Sequence, residues 1–274
     1  MCKTSAGGPS QVYYLLSAHV GSTVSVVNPD GSNLRNSTYY SFRGGPRMTT
    51  GSFARVYQQI VGKALAPHGF QPLNSNFWRI RDKVLQSIVL DKGDSCTFAG
   101  GFGVQPIVYP LPGFIIDFGG SVDEMLPGHG SKWVIPRERK DIEDVVGDYA
   151  HALVRHVVPW LDRFQTCRDL VETDLKKQWG IWLPNTPTKS QNAAVLGLCA
   201  LATEMPNAAR EYLEFAQQEY RKFLRPESPP WYREDLQLVE DFLALLAHED
   251  WEGIRAKLAA GEAFTRQKIG LPPS

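Results

Sequence analysis

A chain of 274 residues can form one large domain or two ordinary ones, and it can bury a substantial hydrophobic core. Its 29 basic and 29 acidic residues give a formal net charge of zero, which argues against a protein built for broad phosphate binding, and we do not expect nucleic acid as a partner. No apolar run approaches the roughly 20 residues that a membrane-spanning helix needs, and we expect no membrane association.

Cysteine and histidine usage indicates the compartment and excludes some chemistry. The four cysteines are scattered along the chain, at Cys2, Cys96, Cys167 and Cys199. None belongs to a Cys-x-x-Cys pair, and this usage is typical of reduced thiols in a cytoplasmic protein. His151 and His156 share a predicted helix, but their spacing of five residues places them on different faces. We therefore expect neither a metal site nor a cofactor.

Residues 1–47 contain clusters of glycine and proline, which interrupt regular structure. Between these clusters, residues 12–16 and 23–27 are β-prone and could pair as a short hairpin associated with the turn residues Pro29-Asp30-Gly31. The other interpretation is a poorly ordered leader, which we favour. In either case we place a domain boundary after Arg47.

Residues 52–66 predict a helix, because apolar side chains recur at three- and four-residue spacing and Ser52 is a suitable N-cap. The following segment 76–93, NFWRIRDKVLQSIVLDKG, alternates as a strand pair that turns near Asp82. Its even-numbered side chains are predicted to face the core: Trp78, Ile80, Val84, Gln86, Ile88 and Leu90. Further strands are predicted at 96–104 and 114–118, and the short connections favour antiparallel pairing.

After Pro136 the pattern becomes helical. An apolar stripe runs from Ile142 to Phe164, and Pro159 is expected to kink or divide this long helix. A short helix follows, and four more are separated by breakers, which favours two antiparallel helical hairpins. These five helices are predicted at residues 166–177, 190–204, 207–224, 232–248 and 251–264.

The predicted fold is therefore α+β. It has a four-stranded, mainly antiparallel sheet packed by the N-terminal helix and the long kinked helix, followed by an all-helical C-terminal subdomain. We place the α+β domain at residues 48–187 and the helical subdomain at 188–274.

Several motifs within this order carry a family resemblance. They are Gly69-Phe70, Asn76-Phe77-Trp78-Arg79, Leu85-Gln86-Ser87-Ile88 and Val158-Pro159-Trp160-Leu161. With them, residues 53–170 resemble the mainly bacterial family catalogued as domain of unknown function 4304. The resemblance implies an α+β domain in a cytoplasmic protein. It also implies a binding role, since some members look like immunity partners of contact-delivered toxins. It supplies no catalytic residues, and the helices after Ser190 lie outside it.

Arg79, Arg81 and Lys83 are the first candidates for a binding site. Spaced cations along a strand can bind phosphate or an acidic protein surface, but charges on a sheet edge also prevent unwanted strand pairing. We expect a solvated edge first and a contact patch second. Trp182 is a further candidate, in a loop rich in tryptophan and proline. Large apolar side chains in loops either join domains or form interaction hot spots, and we favour the first role.

Asp123, Glu124 and His129, together with Asp117, are the candidates for catalysis. They lie in a glycine-rich loop that follows a predicted strand. Carboxylates beside a histidine can perform general acid–base chemistry, although solvated turns are also rich in Asp, Glu and Gly. We favour the solvated turn.

The sequence thus favours a non-catalytic protein-binding module, which the resemblance describes as an immunity-type partner of a toxin. The alternative is an enzyme or small-ligand binder. Its site would lie in the cleft between the sheet and the helices and would use the loop from Asp117 to His129.

Overall fold

The computed structural model describes residues 14–16, 23–27, 33–38, 53–92, 97–110, 118–126, 133–135, 139–175, 189–226, 228 and 230–271. The chain divides into two compact units, Met1–Arg47 and Met48–Ser274, and the predicted separation of residues 48–187 from 188–274 stays a prediction.

The first unit contains a three-stranded antiparallel sheet. Its strands are β1 (Tyr14–Leu16), β2 (Thr23–Val27) and β3 (Asn33–Thr38), in the order β1-β2-β3. The pairing of β1 with β2 agrees with the hairpin interpretation, and β3 is an addition to it. The predicted turn residues Pro29–Gly31 lie outside the described residues, and the poor order of the leader stays a prediction.

The first described element of the second unit is helix α1 (Phe53–Leu65), which buries Phe53, Val56, Tyr57, Val61 and Leu65. The helix tightens into a 3₁₀ turn at Ala66–His68 and stops at Gly69. Pro67 cannot continue the hydrogen-bond ladder of the α-helix, and Gly69 adopts a left-handed φ of 81°, which glycine accepts without strain.

The sheet of the second unit has five strands side by side, so the prediction of four strands is wrong. In order they are β4 (Gln71–Leu73), β5 (Asn76–Arg81), β6 (Val84–Lys92), β7 (Thr97–Pro106) and β8 (Phe118–Ser121). A two-residue strand β9 (Trp133–Val134) pairs with the start of β7, and all these pairings are antiparallel. β4 was not predicted, because its three residues include Pro72 and are too few to show the alternation of apolar and polar side chains. The strand predicted at 114–118 meets β8 only at Phe118, and residues 111–117 lie outside the described residues.

The hairpin of β5 and β6 corrects the predicted division of faces. Its turn consists of the two residues Asp82 and Lys83, and Asp82 has a positive φ of 48°. In this register Phe77 lies opposite Ile88 and Arg79 lies opposite Gln86. An odd-numbered residue therefore shares its face with an even-numbered partner, and the two strands present different parities to the core. The assignment of all even-numbered side chains to one core face is wrong.

The core beneath α1 takes Phe77 from β5 and Ile88 from β6, and the Tyr57 ring lies 6.0 Å from that of Phe77. Trp78 and Ile80 lie on the opposite face of the hairpin. There they pack on a smaller apolar cluster of Leu85, Ile107, Ile269 and Leu271. Both faces of the hairpin are therefore covered. Helix α1 packs on one face, and the end of the C-terminal helix packs on the other.

The long helix is continuous from residue 139 to 161 but changes type. It consists of α2 (Arg139–Ala152), a π-helical turn at Leu153–Val157 and α3 (Val158–Leu161). Pro159 has no N–H to donate to the carbonyl group of Arg155, and a wide turn at this point accommodates its ring. Pro159 therefore does not divide the helix in two; a π-helical turn directly precedes α3, and a kink of the helix axis stays a prediction.

The remaining helices follow the predicted order. They are α4 (Cys167–Leu175), α5 (Lys189–Ala202), α6 (Pro206–Phe223), α7 (Pro230–Ala247) and α8 (Trp251–Ile269). One contiguous core runs from Phe53 in α1 to Leu258 in α8, so these helices and the sheet share their interior. No described helix combines the length and the apolar character needed to cross a membrane, and the cytoplasmic location stays a prediction.

The C-terminal cover of the hairpin can be tested by truncating Ile269, which is buried against Leu85 and Ile107. We expect Ile269→Ala to lower the free energy of unfolding by about 2–3 kcal/mol, because it leaves a cavity above the hairpin. Urea unfolding measures this loss. The control Gln267→Ala, on the exposed side of the same helical turn, should change it by less than about 0.5 kcal/mol. Equal effects of the two variants would contradict the packing of α8 on this face.

Candidate functional site

The guanidinium group of Arg79 lies inside the protein and not on a solvated edge. Its side chain is 3% exposed, and it forms an ion pair with Asp162, which follows α3 and is 47% exposed. The remaining nitrogen atoms donate to Gln86 Oε1 at 2.7 Å and to the His68 carbonyl oxygen at 2.7 Å. The guanidinium carbon also lies 4.4 Å from the centre of the Phe70 ring. The predicted exposure of Arg79 is therefore wrong.

Gln86 continues this network to the end of the long helix. Its amide nitrogen donates to the carbonyl oxygens of Leu161, at 2.8 Å, and Phe164, at 2.7 Å. Carbonyl groups at a helix C-terminus have no partner within the helix, so a buried side-chain donor satisfies them. Burial lowers the pKa of Arg79, while Asp162 opposes that shift. We call Arg79, Gln86 and Asp162 the sheet–helix clamp, and its geometry gives it a structural role.

The other predicted binding residues are not part of the clamp. Arg81 is exposed at the end of β5, with one long contact of 3.5 Å to the carbonyl oxygen of His68. Lys83 is half-buried in the turn. The three cations therefore do not form one exposed patch. Trp182 lies outside the described residues, and its role stays a prediction.

The predicted catalytic carboxylates Asp123 and Glu124 lie together in a short 3₁₀ helix, Val122–Met125, but they face different surroundings. Asp123 is buried, and its Oδ2 accepts from Ser121 Oγ at 3.3 Å. Glu124 is exposed, and its carboxylate accepts from the Ser121 N–H at 3.2 Å, in the manner of a capping box. These two carboxylates do not converge on one site. Asp117 and His129 lie outside the described residues, so a catalytic role of the loop stays a prediction.

A second buried acid, Asp235 on α7, was not identified from the sequence. Tyr220 Oη donates to Asp235 Oδ2 at 3.2 Å, and the buried Tyr109 interacts with both groups electrostatically. Burial raises the pKa of Asp235 to about 6, against the opposing effect of Tyr109 and Tyr220. Asp235 is four residues before Val239 and seven before Phe242, so it interrupts an apolar helical stripe. That position is the signal by which the sequence could have revealed it.

An open concave surface lies between α7 and α8, beside Val108 and Pro110. A cavity of about 260 Å³ has a mainly apolar floor of Leu238, Phe242, Ala260 and Gly261, with Phe264 at its edge. Phe264 is 40% exposed although it is large and apolar. The loop after β7 closes one end, where Thr265 Oγ1 donates to the Tyr109 carbonyl oxygen at 2.8 Å.

A wider cavity of about 610 Å³ adjoins the first and shares Lys257 with it. It is open to solvent, and its lining includes His248, Asp241 and Asp250. Both carboxylates already have partners: Asp241 is paired with Lys257, and Asp250 caps α8 by accepting from the Gly253 N–H at 2.9 Å. We call the two cavities together the α7–α8 groove. Among the described residues, no group of three or more Asp, Glu, His or Cys side chains is arranged to hold a metal ion.

Comparison of the chain with protein-family models, curated proteins and solved structures finds no match. The resemblance to the domain of unknown function 4304 family therefore stays a prediction.

Replacing the two arginines of β5, Arg79 and Arg81, should change the free energy of unfolding by unequal amounts. Arg79→Met leaves Gln86 Oε1 and the His68 carbonyl oxygen without their donor, and we expect a loss of about 2–4 kcal/mol in the free energy of unfolding. Arg81→Met, at an exposed position, should change it by less than about 0.5 kcal/mol. Denaturant unfolding of the two variants measures the difference. A small effect of Arg79→Met would contradict the clamp.

Because of Asp235, we expect the free energy of unfolding to fall as pH rises. Its pKa in the folded chain, about 6, lies above the ordinary value of 3.8, so the folded state holds this proton more tightly than the unfolded state. Its contribution to stability is complete below about pH 4 and is lost as pH rises through about 6, a change of about 3 kcal/mol. Unfolding of the Asp235→Asn variant should lack this change, so the variant gains stability relative to wild type across that range. Parallel pH profiles would contradict the prediction.

Proposed function

We propose that this protein is a non-catalytic binding module that holds a segment of another protein in the α7–α8 groove. The observation that carries the proposal is Phe264, a large apolar side chain 40% exposed at the edge of an apolar cavity. An exposed aromatic side chain beside a concave apolar surface has the composition of an interaction hot spot.

The chemistry of the groove specifies the kind of segment that it fits. The apolar cavity measures about 260 Å³, which is below the roughly 300–1,000 Å³ typical of sites for drug-sized ligands. It suits the apolar side chains of an amphipathic segment, as in helix-in-groove recognition. The adjoining cavity carries Lys257 and Asp241, which can receive the polar flank of the same segment. In line with the family resemblance, the partner class that we propose is a toxin neutralised by binding.

Support for the rival function, an enzyme or small-ligand binder in the cleft between sheet and helices, is weaker. Asp123 is buried and Glu124 is engaged by Ser121, and neither lines the groove described above. The acids that do line the groove, Asp241 and Asp250, already have partners within the chain. A reaction would require them to leave these partners.

Replacing Phe264 by Ser should weaken partner binding at least tenfold, because it removes a large exposed apolar side chain from the lining of the proposed interface. The matched control is Phe215→Ser on α6, since Phe215 is the other large apolar side chain that is strongly exposed among the described residues, at 45%. Purified wild type and both variants are immobilised and exposed to a lysate of the source organism. Proteins retained by wild type and by the Phe215 variant, but lost with the Phe264 variant, are then identified by mass spectrometry.

The affinity of the identified partner for the three versions is then measured by titration calorimetry. Thermal unfolding first establishes that both variants retain the wild-type fold. Equal retention by all three versions would contradict the groove as the binding surface. Failure of wild type to retain any protein, together with turnover of a small substrate, would contradict the binding function itself.

A further inference from the structure

The α8 wall of the α7–α8 groove is an apolar surface with a lysine at either end. Lys257, Gly261 and Phe264 line the smaller cavity, and their spacing of four and three residues places them in one row along the helix. Lys268 continues this row one turn later, and its Nζ lies 5.2 Å from the centre of the Phe264 ring. The row from Lys257 to Lys268 extends roughly 16 Å along the helix axis.

The two lysines differ in whether their charge is neutralised within the chain. Lys257 forms an ion pair with Asp241 of α7. Among the residues that the structure describes, no carboxylate forms an ion pair with Lys268. The acid nearest to it along the helix, Glu262, is paired with Arg266 at 2.8 Å. Lys268 therefore leaves a net positive charge beside the exposed ring of Phe264.

The other end of the groove, at the joint of α7 and α8, has the opposite charge. Asp250 and His248 line the wider cavity there, and Glu249 and Glu252 are exposed beside them. Residues 248–252 thus contain three carboxylates and one imidazole, and their net charge is negative in either charge state of the histidine. The groove therefore runs from an acidic end to a basic end, with the apolar cavity between them.

From this distribution of charge we propose that the groove binds an amphipathic helix that carries an acidic side chain one turn from its apolar anchor, and that this acid pairs with Lys268. The inference rests on the proposed binding function and specifies the chemistry of the partner. Phe264 and Lys268 are one turn apart on α8, so a helix lying along the row presents its anchor and its acid at the same spacing.

The charge of the groove determines which segments bind and in which direction they lie. The ammonium group of Lys268 already lies over the Phe264 ring, so an acid and an apolar side chain of the partner meet adjacent groups. A basic side chain at this end would meet a like charge, and an acidic one at the joint would meet Asp250. Such repulsion contributes to specificity even where an exposed ion pair adds little affinity.

The first experiment selects peptides from a phage-displayed library of random 16-residue sequences on the immobilised full chain. A parallel selection on Phe264→Ser removes the sequences that bind elsewhere. We expect the remaining peptides to show apolar residues at helical spacing, with Asp or Glu three or four residues from the anchor. A helix of 16 residues is about 24 Å long, enough to cover the row from Lys257 to Lys268.

The second experiment exchanges the charges of one selected peptide and of the protein. We expect Lys268→Glu to weaken binding of the acidic peptide about fivefold, and replacement of the peptide's acid by Lys to weaken binding to wild type by a similar factor. Combining the two changes should restore the affinity to within about twofold, because the ion pair is then re-formed with reversed signs. The control Lys63→Glu, at an exposed position of α1 that lines neither cavity, should leave the affinity unchanged.

The outcomes separate this inference from the binding function on which it rests. Selected peptides that need Phe264 but lack an acid near the anchor would overturn the inference alone, and so would equal affinity of wild type and Lys268→Glu. If no peptide depends on Phe264, both the inference and the groove as a binding surface are wrong. A dimer of the free chain that Phe264→Ser dissociates would also overturn the inference, because a second copy would then cover the groove.

Discussion

The hydrogen bonds of Arg79 and Gln86 fix the hairpin of β5 and β6 to the end of the long helix, and the rest of the second unit is arranged around that connection. The clamp satisfies carbonyl groups after the π-turn and neutralises a buried guanidinium with Asp162. A buried charge of this kind is tolerated only when its partners are fixed in position. The clamp therefore sets which face of the hairpin meets α1 and which face is left for the end of α8.

The polar groups that suggest chemistry in the sequence are largely used inside the fold. Arg79 belongs to the clamp, and Asp123 accepts a hydrogen bond from Ser121. Asp235, which was not identified from the sequence, is likewise bound inside the fold, by Tyr220. The pair of Arg79 and Asp162 joins elements that are 83 residues apart along the chain. The exposed Phe264 has no such internal function, and for that reason we place the proposed binding surface in the α7–α8 groove.

Periodicity predicted the helices well, because a buried stripe at 3.6-residue spacing depends only on local sequence. The faces of the hairpin could not be obtained in this way, since a two-residue turn reverses parity and a one-residue change in register exchanges the faces. The burial of Arg79 depends on Asp162, which is 83 residues away, and no local pattern contains that pairing. β4 is too short to alternate, and the groove forms only when α7 and α8 pack together.

The most direct test of the clamp is hydrogen exchange at the arginine Nε–H groups, measured by NMR in the folded protein. Arg79 and Arg81 lie on the same strand and provide an internal comparison. We expect the Arg79 Nε–H to exchange slowly, with a rate insensitive to added salt, because it is buried against Gln86, whereas that of Arg81 exchanges rapidly. Equally rapid exchange of both groups would contradict the buried clamp and with it this account of the fold.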